Sequence, residues 1–344
     1  MHFDFALGNP PYQDETVGDN KKYAPPVYHL FLSATYDVAD KVEMIHPARF
    51  LFNAGSTPKE WNLGRLNDPH FKVLDYEKQS AAAFPNTDIK GGVCVSYRDK
   101  NKDFGAIKVF TEYPALNTIT KKVVSREDFK SLTEIMYSRT AYRLTQKLHD
   151  DHPDAITKLS DGHAYDMASN IFDNLPDLFF DEKPEDGNEY IRILGRVDSN
   201  RVFKFIRKDY VNKVENLDYY KVLVPQANGC GVFGEVMVQP VIEEPGSGTT
   251  ETFISIGKFT NNEDAEHLKK YVCSKFARTM LGILKVTQNG NKPVWRMIPL
   301  QDFSSSSDID WTQSVHNIDQ QLYKKYGLTD EEQAFIESHV KEMN

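Results

Sequence analysis

Through the first hundred residues, short apolar runs alternate with stretches whose apolar positions recur three and four apart, which predicts strands separated by helices. Phe3 to Leu7 reads as a strand, and it must stop at Asn9-Pro10-Pro11-Tyr12 because adjacent prolines fix φ and remove two backbone donors. Residues 27–39 predict a helix with Leu30, Phe31, Ala34 and Val38 on its apolar face. Val42 to Ile45 is the next strand, closed by His46-Pro47. Lys59 to Leu66 predicts a helix capped by Thr57, with Pro58 in its first turn. Phe71 to Tyr76 and Gly91 to Tyr97 complete four strands, the last preceded by the turn-rich Phe84-Pro85-Asn86-Thr87-Asp88. Such alternation predicts an α/β layer with a mostly parallel sheet.

The pattern changes after residue 112. Residues 113–185 are polar and predict helix, around Glu127 to Leu148 in particular, whereas 186–303 are richer in short strands, loops and basic residues. Ser304 to Ser307 has the composition of a short linker. Beyond it, Val315, Ile318, Leu322 and Tyr326 recur at helical spacing until Gly327 stops the helix. Thr329 and Glu332 then form a capping box for a last helix with Phe335, Ile336 and Val340 on its apolar side. The expected division is 1–112, 113–310 and 311–344.

An apolar fraction of 40% with 12% aromatics suits a globular chain with more than one core, and no apolar run approaches a membrane span. Three scattered cysteines and an acidic start without a basic leader predict a cytoplasmic protein. The net charge of −9 weighs mildly against nucleic acid as a partner, but the charge is uneven. Residues 192–208 contain Arg192, Arg196, Arg201, Lys204, Arg207 and Lys208 against the single acid Asp198, interleaved with Phe203 and Phe205. Strand-like alternation there would put Arg201, Phe203 and Phe205 on one face and Lys204 on the other. As a group these residues suit phosphate contact, while for any single one a solvated strand face is the simpler account. His149, His152 and His163 have no metal-ligand spacing, so no metal is expected.

Asn9-Pro10-Pro11-Tyr12 carries the most chemistry. It follows a strand, where open α/β sheets place ligands. The exocyclic amine of adenine has two N–H groups, and the Asn9 side-chain oxygen and the Pro10 carbonyl could accept both. Tyr12 adds a flat face for a base taken out of the duplex. A plain strand-ending turn would use the same residues.

The context resembles one family. Phe3 to Gln13 resembles the strand and motif of N6-adenine DNA methyltransferases, of the gamma class found in single-chain (type II) restriction-modification enzymes. Met44 to Leu51, Phe71 to Tyr76 and Ala83 to Val95 follow in that family's order. Glu189 to Arg196 and Ile318 to Glu337 resemble its target-recognition portion. The resemblance implies an α/β fold: the distal half of a Rossmann-like methyltransferase sheet, followed by a mixed α+β target-recognition domain. It implies transfer of methyl from S-adenosylmethionine to N6 of a flipped adenine in double-stranded DNA. Asn9, Pro10, Pro11 and Tyr12 would be catalytic, and Tyr12 and Phe84 would stack on the base. Apart from the resemblance, the position of Arg49 just past the second strand makes it a separate candidate for a phosphate near such a base, and the 192–208 cations as a group suit DNA contact.

The family's donor-binding part precedes the catalytic strand, and here the sequence opens on that strand. The expectation is therefore a fragment or split half that relies on a separate or upstream donor-binding half, with an associated nuclease. Gly229-Cys230-Gly231-Val232-Phe233-Gly234 has the spacing of a nucleotide loop but reads as a loop of the recognition domain. Two other readings stand beside this one: a non-catalytic DNA-binding specificity module, and a methyltransferase acting on RNA or a protein glutamine.

Overall fold

The opening apolar run forms strand β1 (Phe3–Gly8), ended by the prolines that follow. Helix α1 (Tyr28–Val38) carries the chain back, so that β2 (Ala39–Pro47) lies parallel to β1 with Phe3 opposite Ala39 and Gly8 opposite Met44. A parallel pair needs such a crossover. Helix α2 (Lys59–Leu66), strand β3 (Phe71–Glu77), the one-turn helix α3 (Ser80–Ala83), strand β4 (Val93–Asp99) and helix α4 (Pro114–Val124) follow. The computed structural model describes residues 2–14 and 24–343, and the chain divides into two units, Met1–Lys121 and Lys122–Asn344.

In the first unit the strand order is β1-β2-β4-β3, with β4 antiparallel to both of its neighbours. This corrects the expected mostly parallel sheet: only β1–β2 among these pairings is parallel. The segment between β3 and β4 contains a single helical turn, too little for a crossover, so β4 returns as the arm of a hairpin. The core gathers Tyr28, Leu32, Phe50, Leu51, Leu66, Phe71 and Cys94. Phe50 and Phe71 are fully buried, each contributing about 1.5–3 kcal/mol by leaving water. Helix α1 turns the other way from expectation. Tyr28, His29 and Leu32 face the core, while Leu30, Phe31 and Val38 are 58%, 48% and 40% exposed. Both sides of this helix are apolar, and the core selects the aromatic one. At α2, Pro58 takes the cap position, and the Thr57 hydroxyl instead donates to Asn62 Oδ1 at 2.7 Å.

The second unit continues with β5 (Met136–Tyr137), α5 (Gln146–Asp151), α6 (Ile171–Asn174), β6 (Tyr190–Val197) and β7 (Asn200–Arg207). It goes on through β8 (Tyr220–Pro225), β9 (Val241–Glu243), β10 (Ser247–Thr249) and β11 (Phe253–Phe259). Helices α7 (Asn262–Cys273), α8 (Lys275–Gly282), α9 (Val315–Lys325) and α10 (Asp330–His339) close it. Its strands form two sheets, β10-β6-β7 and β5-β11-β8-β9, and Ile191, Ile193 and Ile206 pack with Tyr142, Phe172 and Leu175 in one core.

The helix expected over Glu127 to Leu148 is absent apart from the start of α5; that stretch holds a 3-10 turn at Leu132–Ile135, strand β5 and irregular chain. Hydroxyl residues there bond the backbone locally, as where Ser131 Oγ accepts the Thr133 N–H at 3.1 Å, and so compete with helix. The serine run is not a linker. Ser307 Oγ accepts from Trp311 Nε1 at 3.1 Å, and Phe303, Ile309 and Trp311 are buried on either side, so residues 311–344 are part of the second unit. Helices α9 and α10 form where their periodicity and capping box predict.

Candidate active site

Three stretches of chain meet at one end of the first unit's sheet. Because β1 and β2 are parallel, their carboxyl ends lie side by side, with Asn9–Tyr12 beyond Gly8 and Arg49 beyond Pro47. Val93 pairs with Pro47 on one side and Glu77 on the other, which brings the β3–β4 connection, Phe84 included, to the same end. The sequence-predicted residues of this unit are thus gathered from positions far apart in the chain.

The motif is pinned through its backbone. The Tyr12 carbonyl accepts the Val27 N–H at 3.1 Å, and the Asp14 N–H donates to the Pro25 carbonyl at 3.0 Å. Asn9 and Pro11 are exposed, and Pro10 and Tyr12 are half-buried. The Tyr12 and Phe84 rings meet edge to face, centroids 6.4 Å apart at 73°. Ser80 organises the loop that presents Phe84: its hydroxyl accepts the Ile89 N–H at 2.8 Å and donates to the Thr87 carbonyl at 3.2 Å. Thr87 Oγ1 in turn donates to the Phe84 carbonyl at 2.7 Å.

Beside Tyr12 opens a cavity of about 680 Å³, lined also by Tyr28, Arg49, Thr57, Asp88 and Lys90. That volume lies in the range of small-molecule sites, roughly 300–1,000 Å³. Burial raises the Tyr12 phenol above its ordinary value, Cys94 adds to the rise, and the Asn9 side chain opposes it. The Tyr12 hydroxyl is shielded from water and, among the described residues, completes no well-aligned hydrogen bond. Below it, fully buried His46 stacks on Tyr28 at 5.6 Å and shares a 2.7 Å hydrogen bond between Nε2 and Ser96 Oγ. Burial brings His46 down to about 4, against the opposing pull of the Pro47 carbonyl, so the ring is neutral at pH 7.

Residues 1–84 match the model of the Eco57I restriction-modification methylase family. Asn9 to Tyr12, Arg49 and Phe84 all fall inside the matched segment. An uncharacterized adenine-specific methylase of Mycoplasma pneumoniae (strain ATCC 29342 / M129 / Subtype 1) is 29% identical over 96 residues, which cover 27% of this chain and 23% of that protein. The match therefore spans about a quarter of the curated relative. Among solved structures, the type IIG restriction endonuclease BpuSI is 11% identical, with a TM-score of 0.29 over 88% of this chain and 44% of that one.

In the second unit, folding alters the basic segment. Arg192 pairs with Glu243 at 2.8 Å, Lys204 with Asp181 at 2.7 Å, Arg207 with Asp209 at 2.5 Å, and Lys208 with Glu189 at 3.4 Å. Glu243 is buried, so moving Arg192 away would strand a carboxylate; Arg192 is committed to structure. The other three pairs are partly exposed and are exchanged at little cost. Arg196 and Arg201 differ. They face each other across the β6–β7 hairpin and are held by main-chain carbonyls, of Ser199 and Gln239 respectively.

The G-x-G-x-x-G string is fully engaged within its own unit. Glu235 accepts the N–H groups of Cys230 and Gly231 at 2.8 and 3.0 Å. A side chain at Gly231 would meet the Thr287 backbone, and one at Gly234 the His339 carbonyl. This loop does not fit the methyl donor that the sequence resemblance implies. Among the described residues no group of His, Cys, Asp and Glu could hold a metal ion, and no helix is long and apolar enough to cross a membrane. Sequence reasoning missed His46, Tyr28 and Lys90; the only visible hint was the turn before Gly91-Gly92, which brings Lys90 to the site.

Proposed function

We propose that the first unit is the acceptor side of an adenine-specific DNA methyltransferase of a restriction-modification system. The observation that carries this is the meeting of Asn9-Pro10-Pro11-Tyr12 with Phe84 beside an open cavity, within the segment that matches the methylase family. Asn9 Oδ1 and the Pro10 carbonyl accept the two N–H groups of the exocyclic amine, orienting the nitrogen lone pair outward. Tyr12 and Phe84 part from their edge-to-face contact to admit the base between them. Transfer leaves the amine with a surplus proton that passes to water, so no buried carboxylate base is needed. S-adenosylmethionine, when bound, would supply the methyl group. The row Phe3, Phe5 and Leu7 on edge strand β1, 48%, 48% and 71% exposed, supports a partner segment covering that side. DNA is gripped through the second unit, with Arg196 and Arg201 the foremost contacts and Lys204, Arg207 and Lys208 available by exchange of their ion pairs.

A non-catalytic DNA-recognition module is the second reading, favoured by the engagement of the glycine string within its own unit. Labelled methyl incorporation into plasmid adenine decides between them, using the chain alone and fused behind a donor-binding half. Activity in the fusion, falling roughly 100-fold or more in Asn9→Ala, is expected, on the scale of losing one pre-aligned polar group. No adenine methylation in either format, with DNA binding intact, leaves the recognition module.

A further inference from the structure

We infer that Arg49 and Lys90 form a built seat for a phosphodiester anion at the mouth of the cavity, held in place by a slot of two glycines; this rests on the acceptor reading above. Arg49 is exposed, lies just beyond the carboxyl end of β2, and lines the cavity with Lys90. Its alkyl stem runs between Gly55 and Gly91, which adopt φ of +91° and +90°. A Cβ on Gly91 would come within 3.0 Å of Arg49 Cβ, and one on Gly55 within 3.1 Å of Arg49 Cδ. Two strained-handed positions that only glycine adopts easily, one on each side of a single side chain, fix a stem that would otherwise lose much of its rotamer freedom on binding.

The polar groups around this slot suit an anion. The hydroxyl residues Ser56 and Thr57 also line the cavity, and Asp88 is the one acid among the described lining residues. The cavity is bounded by Tyr12, so an anion held by Arg49 and Lys90 sits beside the ring proposed to face the base. A nucleotide whose base enters between Tyr12 and Phe84 brings its own phosphates to this side. Arginine supplies a planar fork for two phosphate oxygens, and lysine supplies a point charge. Arg49 and Lys90 would grip the backbone next to the extruded base, fixing how far the base travels, while the second unit supplies the bulk of the binding.

The test is the salt dependence of duplex DNA binding by the full chain, measured by filter binding. Each phosphate contact contributes about 0.9 to the slope of log K against log salt. Arg49→Ala/Lys90→Ala is expected to flatten the slope by about 0.9 to 1.8. Gly91→Ala is expected to flatten it as well, with no change of charge, by displacing Arg49, and Gly55→Ala serves if Gly91→Ala fails to fold. Lys72→Ala, at the far end of β3 from the cavity, should leave the slope unchanged. An unaltered slope in the double variant, or an equal loss in Lys72→Ala, overturns the seat and leaves the acceptor reading standing. Failure of the unaltered chain to bind DNA overturns both.

Discussion

His46 makes the first unit sensitive to acid, by an amount that can be worked out. Its ring is fully buried against Tyr28, hydrogen-bonded to Ser96, and lowered by burial to about 4 from an ordinary value near 6.5. The unfolded chain therefore takes up the proton first. Stability due to the neutral ring is whole above pH 6.5 and is lost as pH falls toward 4. The full gap of roughly 2.5 pH units is worth about 3 kcal/mol, of which about 2 kcal/mol is gone at pH 5. The readout must be local, because Asp319 in the other unit is raised by burial to about 6 and shifts stability with the opposite sign. Trp61 is local: its indole packs on His29 and Phe50 at 5.6 and 5.2 Å and donates to Ser33 Oγ. In a fluorotryptophan-labelled chain the Trp61 resonance, assigned through Trp61→Phe, follows urea unfolding at pH 7 and pH 5. The wild type should lose about 2 kcal/mol more than His46→Gln between the two. Equal losses would refute the reasoning.

Further substitutions probe the backbone and a buried pair. Gly92 has φ of +74°, and a Cβ there would lie 2.3 Å from the Glu77 carbonyl oxygen, so Gly92→Ala should cost at least about 2 kcal/mol in urea unfolding. Gly64→Ala, with open space at its Cβ inside α2, should instead stabilise by roughly 0.5–1 kcal/mol. Burial disfavours ionised Glu235, but Lys285 and the N–H groups of Cys230 and Gly231 outweigh it and bring the carboxyl to about 2. The stability it confers is present above its ordinary value near 4.5 and lost as pH falls through 2. Glu235→Ala leaves Lys285, only 6% exposed, without its partner, and should cost about 3–5 kcal/mol by thermal and urea unfolding, with Glu235→Gln milder.

What the sequence revealed divides by distance along the chain. Strand β1 and its proline stop, helices α9 and α10, and the Thr329–Glu332 capping box depend on neighbours within a few residues, and all were legible. The proximity of Tyr12 and Phe84, far apart in the chain, was instead an expectation from the family resemblance. The face of α1 was misread because both of its sides are apolar, and only the aromatic cluster of Tyr28, Phe50 and Trp61 decides between them. Residues 192–208 read as a net basic group because most of their neutralising acids, Asp181 and Glu243 among them, lie outside that stretch. The slot around Arg49 is likewise assembled from Gly55 and Gly91, which no local pattern connects.

The parallel pairing of β1 bears on the order in which the molecule is assembled. Strands β3 and β4 are close in sequence and can zip early, and β2 can join β4 once they exist. β1 has one strand neighbour among the described residues, across the α1 crossover, and pairs with it at fewer positions than either other strand pair of this sheet, so it gains least on docking and docks last. The motif residues ride on that final strand. A chain halted one step short would carry most of its helices and sheets and look native to circular dichroism, yet lack the meeting of Tyr12 with Phe84.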